Sequence, residues 1–210
     1  MKGLIILGHP AVGSFNHALA HTIRQTWEAA GCDVTFHDLA AEGFDPRMTA
    51  AEAREGASDD PVIQRHIADL CNADILAVVH PNCWGAPPAI MKGWVDRVFA
   101  ENAAYAFEKG IDQGDTPVGL LKIKAALVIN TGNTPPDREV YHFHDPLDHI
   151  WRICILGFCG VPYVTRRLFG VVATSALTDR AAWLAETARL AADAVSRAEH
   201  GQAKTPENGG

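Results

Sequence analysis

Three runs of this chain are apolar almost throughout, and each stops at a turn rich in small and polar residues: GLIILG (Gly3–Gly8), DILAVVH (Asp74–His80) and KAALVIN (Lys124–Asn130). A strand with one wet face alternates apolar and polar residues. A run without alternation is covered on both faces, which is the condition of a parallel sheet between two layers of helices. The intervening segments have helical periods. Phe15–Ala30 repeats Leu19, Ile23, Trp27 and Ala30, with Ser14 as a capping residue and Gly31 as a stop. Asp60-Pro61 puts a capping aspartate before a proline at the first helical position, and that helix runs to about Asn72 with Val62, His66, Ile67 and Leu70 or Cys71 on one face. Ala89–Ala100 turns Ile90, Trp94, Val95 and Phe99 inward, Pro146–Cys159 is helical in pattern, and Thr178-Asp179 opens a long helix from Leu177 to about His200. Asp33–His37 alternates as a short strand, and Val161–Val172 contains the last one. Residues 40–58, 102–121 and 131–145 read as irregular connections. The expectation is one α/β domain over residues 1–200, a doubly wound parallel sheet of five strands in the order 2-1-3-4-5 with helices on both faces, followed by a disordered tail over 201–210.

Composition bounds the partners. A formal net charge of −7 argues against nucleic acid or an anionic membrane surface, since both need a basic face. No stretch approaches the roughly 18 apolar residues of a membrane span. The apolar run at the N-terminus breaks too early, at His9-Pro10, to be a signal peptide. The five cysteines are odd in number, form no Cys-x-x-Cys and lie mostly in apolar surroundings, the pattern of buried free thiols in a cytoplasmic protein.

In a sheet of this order, ligands bind beyond the carboxyl ends of the strands, where the strand order reverses. Three turns qualify. In the first, Gly8–Ser14 spells G-x-x-x-x-G-S, a near miss to the nucleotide phosphate loop that lacks its lysine. What remains is a helix N-terminus with His9, Ser14, Phe15 and Asn16 at its mouth, which suits a phosphate that does not react; the plain alternative is that Ser14 only caps and His9 only packs. In the second, PNCWGAPP, Trp84 is either a wall for a planar ring or ordinary core, and Asn82–Gly85 offers backbone groups to a ring edge. Beyond it, Trp94 and Phe99 belong to the core, and Lys92 and Arg97 to solvent. In the third, Thr131, Gly132 and Asn133 follow a strand, and glycine there admits a close approach of backbone to ligand. Tyr141, His142, His144 and His149 come next. Their spacing matches no closed zinc signature, so no metal is expected, and one of them is a candidate proton donor or hydrogen-bond partner.

The motifs are similar to those of a family. HPAVGSFNHAL resembles the H-P-x-x-x-S-F-N-x-A-L opening of the NAD(P)H:quinone oxidoreductases of flavodoxin-like fold, and PNCWGAPPAIMKGWVDRVF resembles their P-x-x-W-x-x-P-A-I-x-K-G-W-x-D-R-V-F. AAYAF (Ala103–Phe107), NTGN (Asn130–Asn133) and GFCGV (Gly157–Val161) follow in the family's order, so the likeness covers about residues 3 to 195. The resemblance implies a flavin, FAD or alternatively FMN, whose phosphate is never transferred and needs no lysine. It places His9, Ser14, Phe15 and Asn16 on the phosphate part, Pro81, Asn82, Cys83, Trp84 and Gly85 along the ring, and Thr131, Gly132 and Asn133 behind it. Tyr105 corresponds to an aromatic cover over the substrate pocket, and Arg180 falls loosely where some members contact adenine. NAD(P)H is then the electron donor and a quinone the acceptor, taken in turn at one place. Tyr141 and His144 stand for the pair that stabilises the reduced ring, although TGNTPPDREVYHFHD replaces the family's glycine-rich stretch and Cys83 departs from its usual residue. The family also implies a homodimer with active sites between subunits. Rival readings are an FMN azo- or nitroreductase, a regulatory flavoprotein subunit of a potassium-efflux transporter, an electron-carrier flavodoxin, and a domain that has lost its cofactor.

Overall fold

The computed structural model describes residues 1–56, 58–108 and 116–201. In chain order the elements are β1 (Lys2–Leu7), α1 (Phe15–Ala29), β2 (Asp33–Asp38), α2 (Ala50–Glu55), α3 (Pro61–Asn72), β3 (Ile75–Pro81) and α4 (Ala89–Val98). Then come β4 (Tyr105–Glu108), β5 (Thr116–Gly119), β6 (Ala125–Thr131), α5 (Pro136–Tyr141), α6 (Pro146–His149) with a π-helical continuation (Ile150–Gly157), β7 (Tyr163–Phe169) and α7 (Leu177–His200). The sheet runs β2-β1-β3-β6-β7, with every pair parallel. With the β4–β5 hairpin set aside, this is the expected order 2-1-3-4-5.

The unbroken apolar runs divide their side chains between two cores. Ile5, Leu7, Ile75, Val79, Leu127 and Ile129 meet Leu19, Ile23 and Trp27 of α1 and Ala191 and Val195 of α7. Their neighbours Leu4, Ile6, Leu76, Val78 and Val128 meet Ile63 and Leu70 of α3, Met91, Trp94 and Val98 of α4, and Trp151. Period 2 along each strand, with apolar residues at both phases, forces this two-sided burial. The Trp27 indole N–H donates to Ala191 O at 3.0 Å, so the largest side chain of the first core brings its own polar partner.

Each of the three supposed irregular connections contains structure. The 40–58 connection holds α2, opened by a capping box in which Thr49 and Glu52 bond each other's backbone. The 102–121 segment holds an antiparallel hairpin in which Tyr105 pairs with Gly119 and Glu108 with Thr116. The 131–145 segment holds α5, with Pro136 at its first position. Arg97, expected in solvent, is buried: it donates to Glu52, to Asp60 and to Asp45 O, fixing the α2 segment on α4. Lys92 does stay outside, paired with Asp96. A Cβ on Gly93 would lie 2.2 Å from Pro46 O, so this glycine lets the same connection press onto α4. Trp94 and Phe99 are core, as expected. On α3 the buried face is Ile63, His66 and Leu70, and Val62 is exposed. All five cysteines are free; Cys32 and Cys159 are buried, Cys71 and Cys83 half-buried, and Cys154 is exposed. Residues 202–210 of the expected tail lie outside the described residues.

Candidate active site

The carboxyl ends of β1, β3 and β6 present the three turns on one edge of the sheet. At the first, Ser14 caps α1 by accepting from His17 N–H, and its hydroxyl lies 2.8 Å from His17 Nδ1. His17 Nε2–H in turn donates to Asp38 at 3.0 Å. His9 Nδ1 folds back on its own turn, 3.1 Å from Ala11 N and 3.2 Å from Ala11 O. The Phe15 ring packs on Trp183 of α7, and the Asn16 side chain turns inward to Thr131, donating to Oγ1 at 2.9 Å and accepting from it at 3.2 Å. So Asn16 joins the first turn to the third by its side chain. The first-turn N–H groups of Phe15 and Asn16 have no backbone partner among the described residues, as at any helix start.

The second turn is a tight two-residue hairpin. Cys83 N–H donates to Ala86 O and Ala86 N–H to Cys83 O, both at 3.0 Å, with φ at 58° for Trp84 and 73° for Gly85. Two successive positive φ values make the mirror-image turn that asks for glycine, and only the second position has it. A Cβ on Gly85 would also meet Pro146 Cγ at 2.8 Å. The turn is held from below, since Asn82 Oδ1 accepts from Gly85 N–H at 2.8 Å while Asn82 Nδ2 donates to Glu139 Oε1 at 2.9 Å. Trp84 is 105% exposed. Of the two readings of Trp84, ordinary core is overturned: the positive-φ hairpin carries the ring outward.

The third turn follows β6. Thr131 is buried, Gly132 N–H donates to Phe169 O at 2.8 Å, and Asn133 Oδ1 accepts from Ala173 N–H at 2.8 Å. Arg180 is occupied with the same 172–175 loop, donating to Ser175 Oγ at 2.9 Å and Val172 O at 3.1 Å. Between the second and third turns lies a cavity of about 420 Å³ lined by Asn82, Trp84, Gly85, Gly132, Asn133, Thr134, Glu139, Phe143 and Pro146. That size suits a cofactor-sized aromatic group.

Five of the residues singled out in the sequence therefore meet in one cavity. Pro81, Cys83 and Thr131 support it from the adjoining backbone. His9, Ser14 and Phe15 form a separate pole at the start of α1. Tyr141 and His144 do not line the cavity; Tyr141 is 79% exposed, and His144 has a left-handed φ of 59°. Tyr105 sits in β4 against Phe107 and Phe158, lining two other cavities of its own chain. Burial there raises its phenol pKa above the usual value. The sequence reading missed Glu139, which is only 2% exposed. The signal was present: Pro135-Pro136-Asp137 is a helix start, and a helix there carries Glu139 inward.

A buried polar network underlies the cavity. His80 Nδ1–H donates to Pro81 O at 2.8 Å, and Nε2 accepts from Trp151 Nε1–H at 2.9 Å and from Asn130 Nδ2 at 3.0 Å. Burial lowers the His80 pKa to about 4, consistent with the lone pair this arrangement demands. Arg166 donates to Asn130 Oδ1 and to Asp145 Oδ2, each at 2.7 Å. Asp145, at φ 42°, and His144 are consecutive residues in the left-handed region, a conformation that costs about 1–3 kcal/mol per residue and persists where surrounding contacts enforce it.

A second histidine cluster lies between β2 and α3. His37, Glu42 and His66 bring three potential ligand atoms within 4.8 Å of one another. Trp94 Nε1–H, however, donates to His66 Nδ1 at 3.2 Å. A neutral imidazole has one lone pair, so the His66 proton is on Nε2 and that nitrogen cannot ligate. The cluster is a hydrogen-bonded clamp, completed by His37 between Glu42 at 2.8 Å and Asp69 at 2.9 Å.

Comparison with known proteins places these features. The model of a family described by its flavodoxin-like fold matches residues 1–193. An uncharacterized NAD(P)H oxidoreductase of Haemophilus influenzae is 34% identical over 175 residues, covering 81% of this chain and 84% of that protein. A ribosyldihydronicotinamide dehydrogenase [quinone] of Pongo abelii is 30% identical over 186 residues, covering 76% and 77%. The crystal structure of Smu.1420 from Streptococcus mutans superposes with a TM-score of 0.77 at 27% identity, covering 92% of this chain and all of that one.

Proposed function

The chain belongs to the flavodoxin-like family, and from that premise we propose that it is an NAD(P)H dehydrogenase (quinone), using a bound flavin to pass electrons from NAD(P)H to a quinone. The observation that carries this reading is the cavity between the Trp84–Gly85 hairpin and the Gly132–Thr134 turn, tied through Thr131 and Asn16 to the open N-terminus of α1. One end offers a flat-walled space and the other unpaired N–H groups, which fits a group with a planar ring and a phosphate. A bound flavin supplies the two-electron carrier. The chain's residues hold and orient it. Asn82, Trp84 and Gly85, with Pro81 and Cys83 behind them, form one wall; Gly132 and Asn133, with Thr131 behind them, form the other; His9, Ser14, Phe15 and Asn16 frame the phosphate pole. Arg180 acts by holding the 172–175 loop against Asn133, next to the path of an adenine portion. FAD is the first choice and FMN the alternative.

The same reading includes a homodimer. Tyr105 does not line its own chain's cavity, so a role as substrate cover requires a second copy that brings it there. Trp84, Tyr141 and Phe143 leave apolar surface uncovered in one chain, as a subunit contact would. Tyr141 and His144 then adjoin the mouth of the cavity as hydrogen-bond donors. Free cysteines accord with a cytoplasmic setting, and among the described residues no helix is long and apolar enough to cross a membrane.

The test is an absorbance spectrum of the purified protein, then anaerobic addition of NADH or NADPH, then a quinone. The expected result is a yellow protein that bleaches with a nicotinamide and recovers with quinone, and chromatography of the released flavin then separates FAD from FMN. A protein that stays colourless after reconstitution with either flavin overturns the reading.

A further inference from the structure

Glu139 is the one charged residue lining the 420 Å³ cavity. Its residue surface is almost wholly buried, yet no cation pairs with it among the described residues, and the one protein donor found for its carboxylate is Asn82 Nδ2, on Oε1. A carboxylate withdrawn from water with a single amide donor is expensive unless something else satisfies its remaining lone pairs. Glu52, the other buried glutamate among the described residues, is satisfied by Arg97, Ser58 and the Thr49 N–H. Arg166 bonds Asp145 and Asn130 through Nε and Nη1 and forms no ion pair with Glu139, although its Nη2 is left without a partner. The unmet acceptor of Glu139 therefore belongs to the cavity and to whatever fills it.

We infer that Glu139 is a redox-setting residue: its carboxylate accepts from an N–H donor of the bound ring, and its charge opposes the negative charge that reduction brings into the cavity. This rests on the flavin reading above. The ligand chemistry it selects is a heteroaromatic ring with an N–H on its edge, in preference to one presenting only acceptors there. Because Glu139 is itself buried, its charge lowers the reduction potential of the bound ring, since a charge shielded from water acts at higher effective strength. Glu139 also braces the hairpin through Asn82, so the two roles must be separated.

The experiment uses the full chain, stripped of flavin and reconstituted with FAD and FMN in turn. Binding is followed by fluorescence quenching, and the potential of the bound flavin is measured anaerobically against a reference dye. Glu139→Gln keeps an oxygen for the Asn82 amide and removes the charge. It is expected to bind oxidised flavin within a few-fold of wild type and to favour the reduced form about tenfold, a rise of about 30 mV for a two-electron couple. Glu139→Ser, which opens the cavity instead of refilling it, is expected to shift the potential in the same direction. Glu139→Asp keeps the charge and shortens the reach to Asn82, and is expected to leave the potential near wild type. If both neutral variants bind flavin at an unchanged potential, or if Glu139→Asp raises it as far as Glu139→Gln does, Glu139 is a brace alone. If wild type binds neither flavin, the functional reading falls first and this inference with it.

Discussion

Two buried polar networks in this molecule share a plan and differ in their setting. In each, a fully buried histidine accepts an indole N–H: His66 from Trp94 at 3.2 Å, and His80 from Trp151 at 2.9 Å. In each, a buried arginine stands nearby. Around His66 the charges close on one another, with His37 between two carboxylates and Arg97 answered by Glu52, Asp60 and a carbonyl, and the one atom left without a hydrogen bond, His66 Nε2, still faces a carboxylate oxygen of Glu42 at 3.2 Å. Around His80 they do not close: Arg166 Nη2 and Asp145 Oδ1 are buried with no partner, and two residues beside them hold left-handed backbone. The first network only has to fasten loops to helices. The second lies under the cavity, where polar capacity left open and strain held in place are the marks of a site built to meet a ligand.

The largest expected effect is on the closed network. Arg97→Met leaves Glu52 buried without its cation, and breaking such a pair costs about 3–5 kcal/mol. Urea unfolding measures this directly. Arg166→Met is expected to cost less, about 1–3 kcal/mol, because an unsatisfied Nη2 leaves with the side chain and Asp145 keeps some solvent contact. Equal losses in the two variants would erase the distinction between the networks.

Acid is expected to separate the histidines from the carboxylates. His66 and His80 are both held near a pKa of about 4 by burial, with the His37 charge adding to the effect at His66. A histidine whose folded pKa lies below its unfolded value stabilises fully above the unfolded pKa, near 6.5, and that contribution is lost as pH falls toward 4. Each contributes on the order of 2–3 kcal/mol by this linkage. Glu52 is held down at about 2, chiefly by its hydrogen bond from Arg97. Its contribution is intact above its ordinary carboxylate range and is lost only as pH falls further toward 2. Urea midpoints should therefore drop in a first stage between pH 6.5 and 4, and His80→Leu should flatten part of that stage. A midpoint constant down to pH 4 would mean that neither imidazole is confined to its neutral form.

The sheet was legible in the sequence because strands covered on both faces leave uninterrupted apolar runs, and GLIIL, DILAVVH and KAALVIN do. The first and second turns were legible because their composition is odd for connectors. Arg97 was misread because exposure cannot be seen locally: its partners, Glu52 and Asp60, are 45 and 37 positions away in the chain. His66 was placed on the correct helix face, but its relation to Trp94 is tertiary. Short helices such as α2 and α5 have too few turns to show a period, and only their caps announce them. Glu139 was missed for that reason, while Tyr141 and His144, two and five residues further on, drew attention by their chemistry alone.

The smallest expected effect on stability is at Trp84, and it bears most directly on what the open network is for. The ring is exposed in one chain, so Trp84→Ala should change the unfolding free energy by no more than about 0.5 kcal/mol. The same change removes the aromatic wall of the cavity, and flavin retention should fall by about tenfold in dissociation constant, read by fluorescence titration of the stripped protein. The two readouts pull apart only if Trp84 serves a ligand. A loss of stability that grows as the protein is diluted would instead place the indole in a contact between copies, because only an intermolecular contact weakens with dilution. Unchanged flavin affinity at every concentration would put the ring wall elsewhere, and would leave the strained hairpin, with its non-glycine residue at φ 58°, without a functional account.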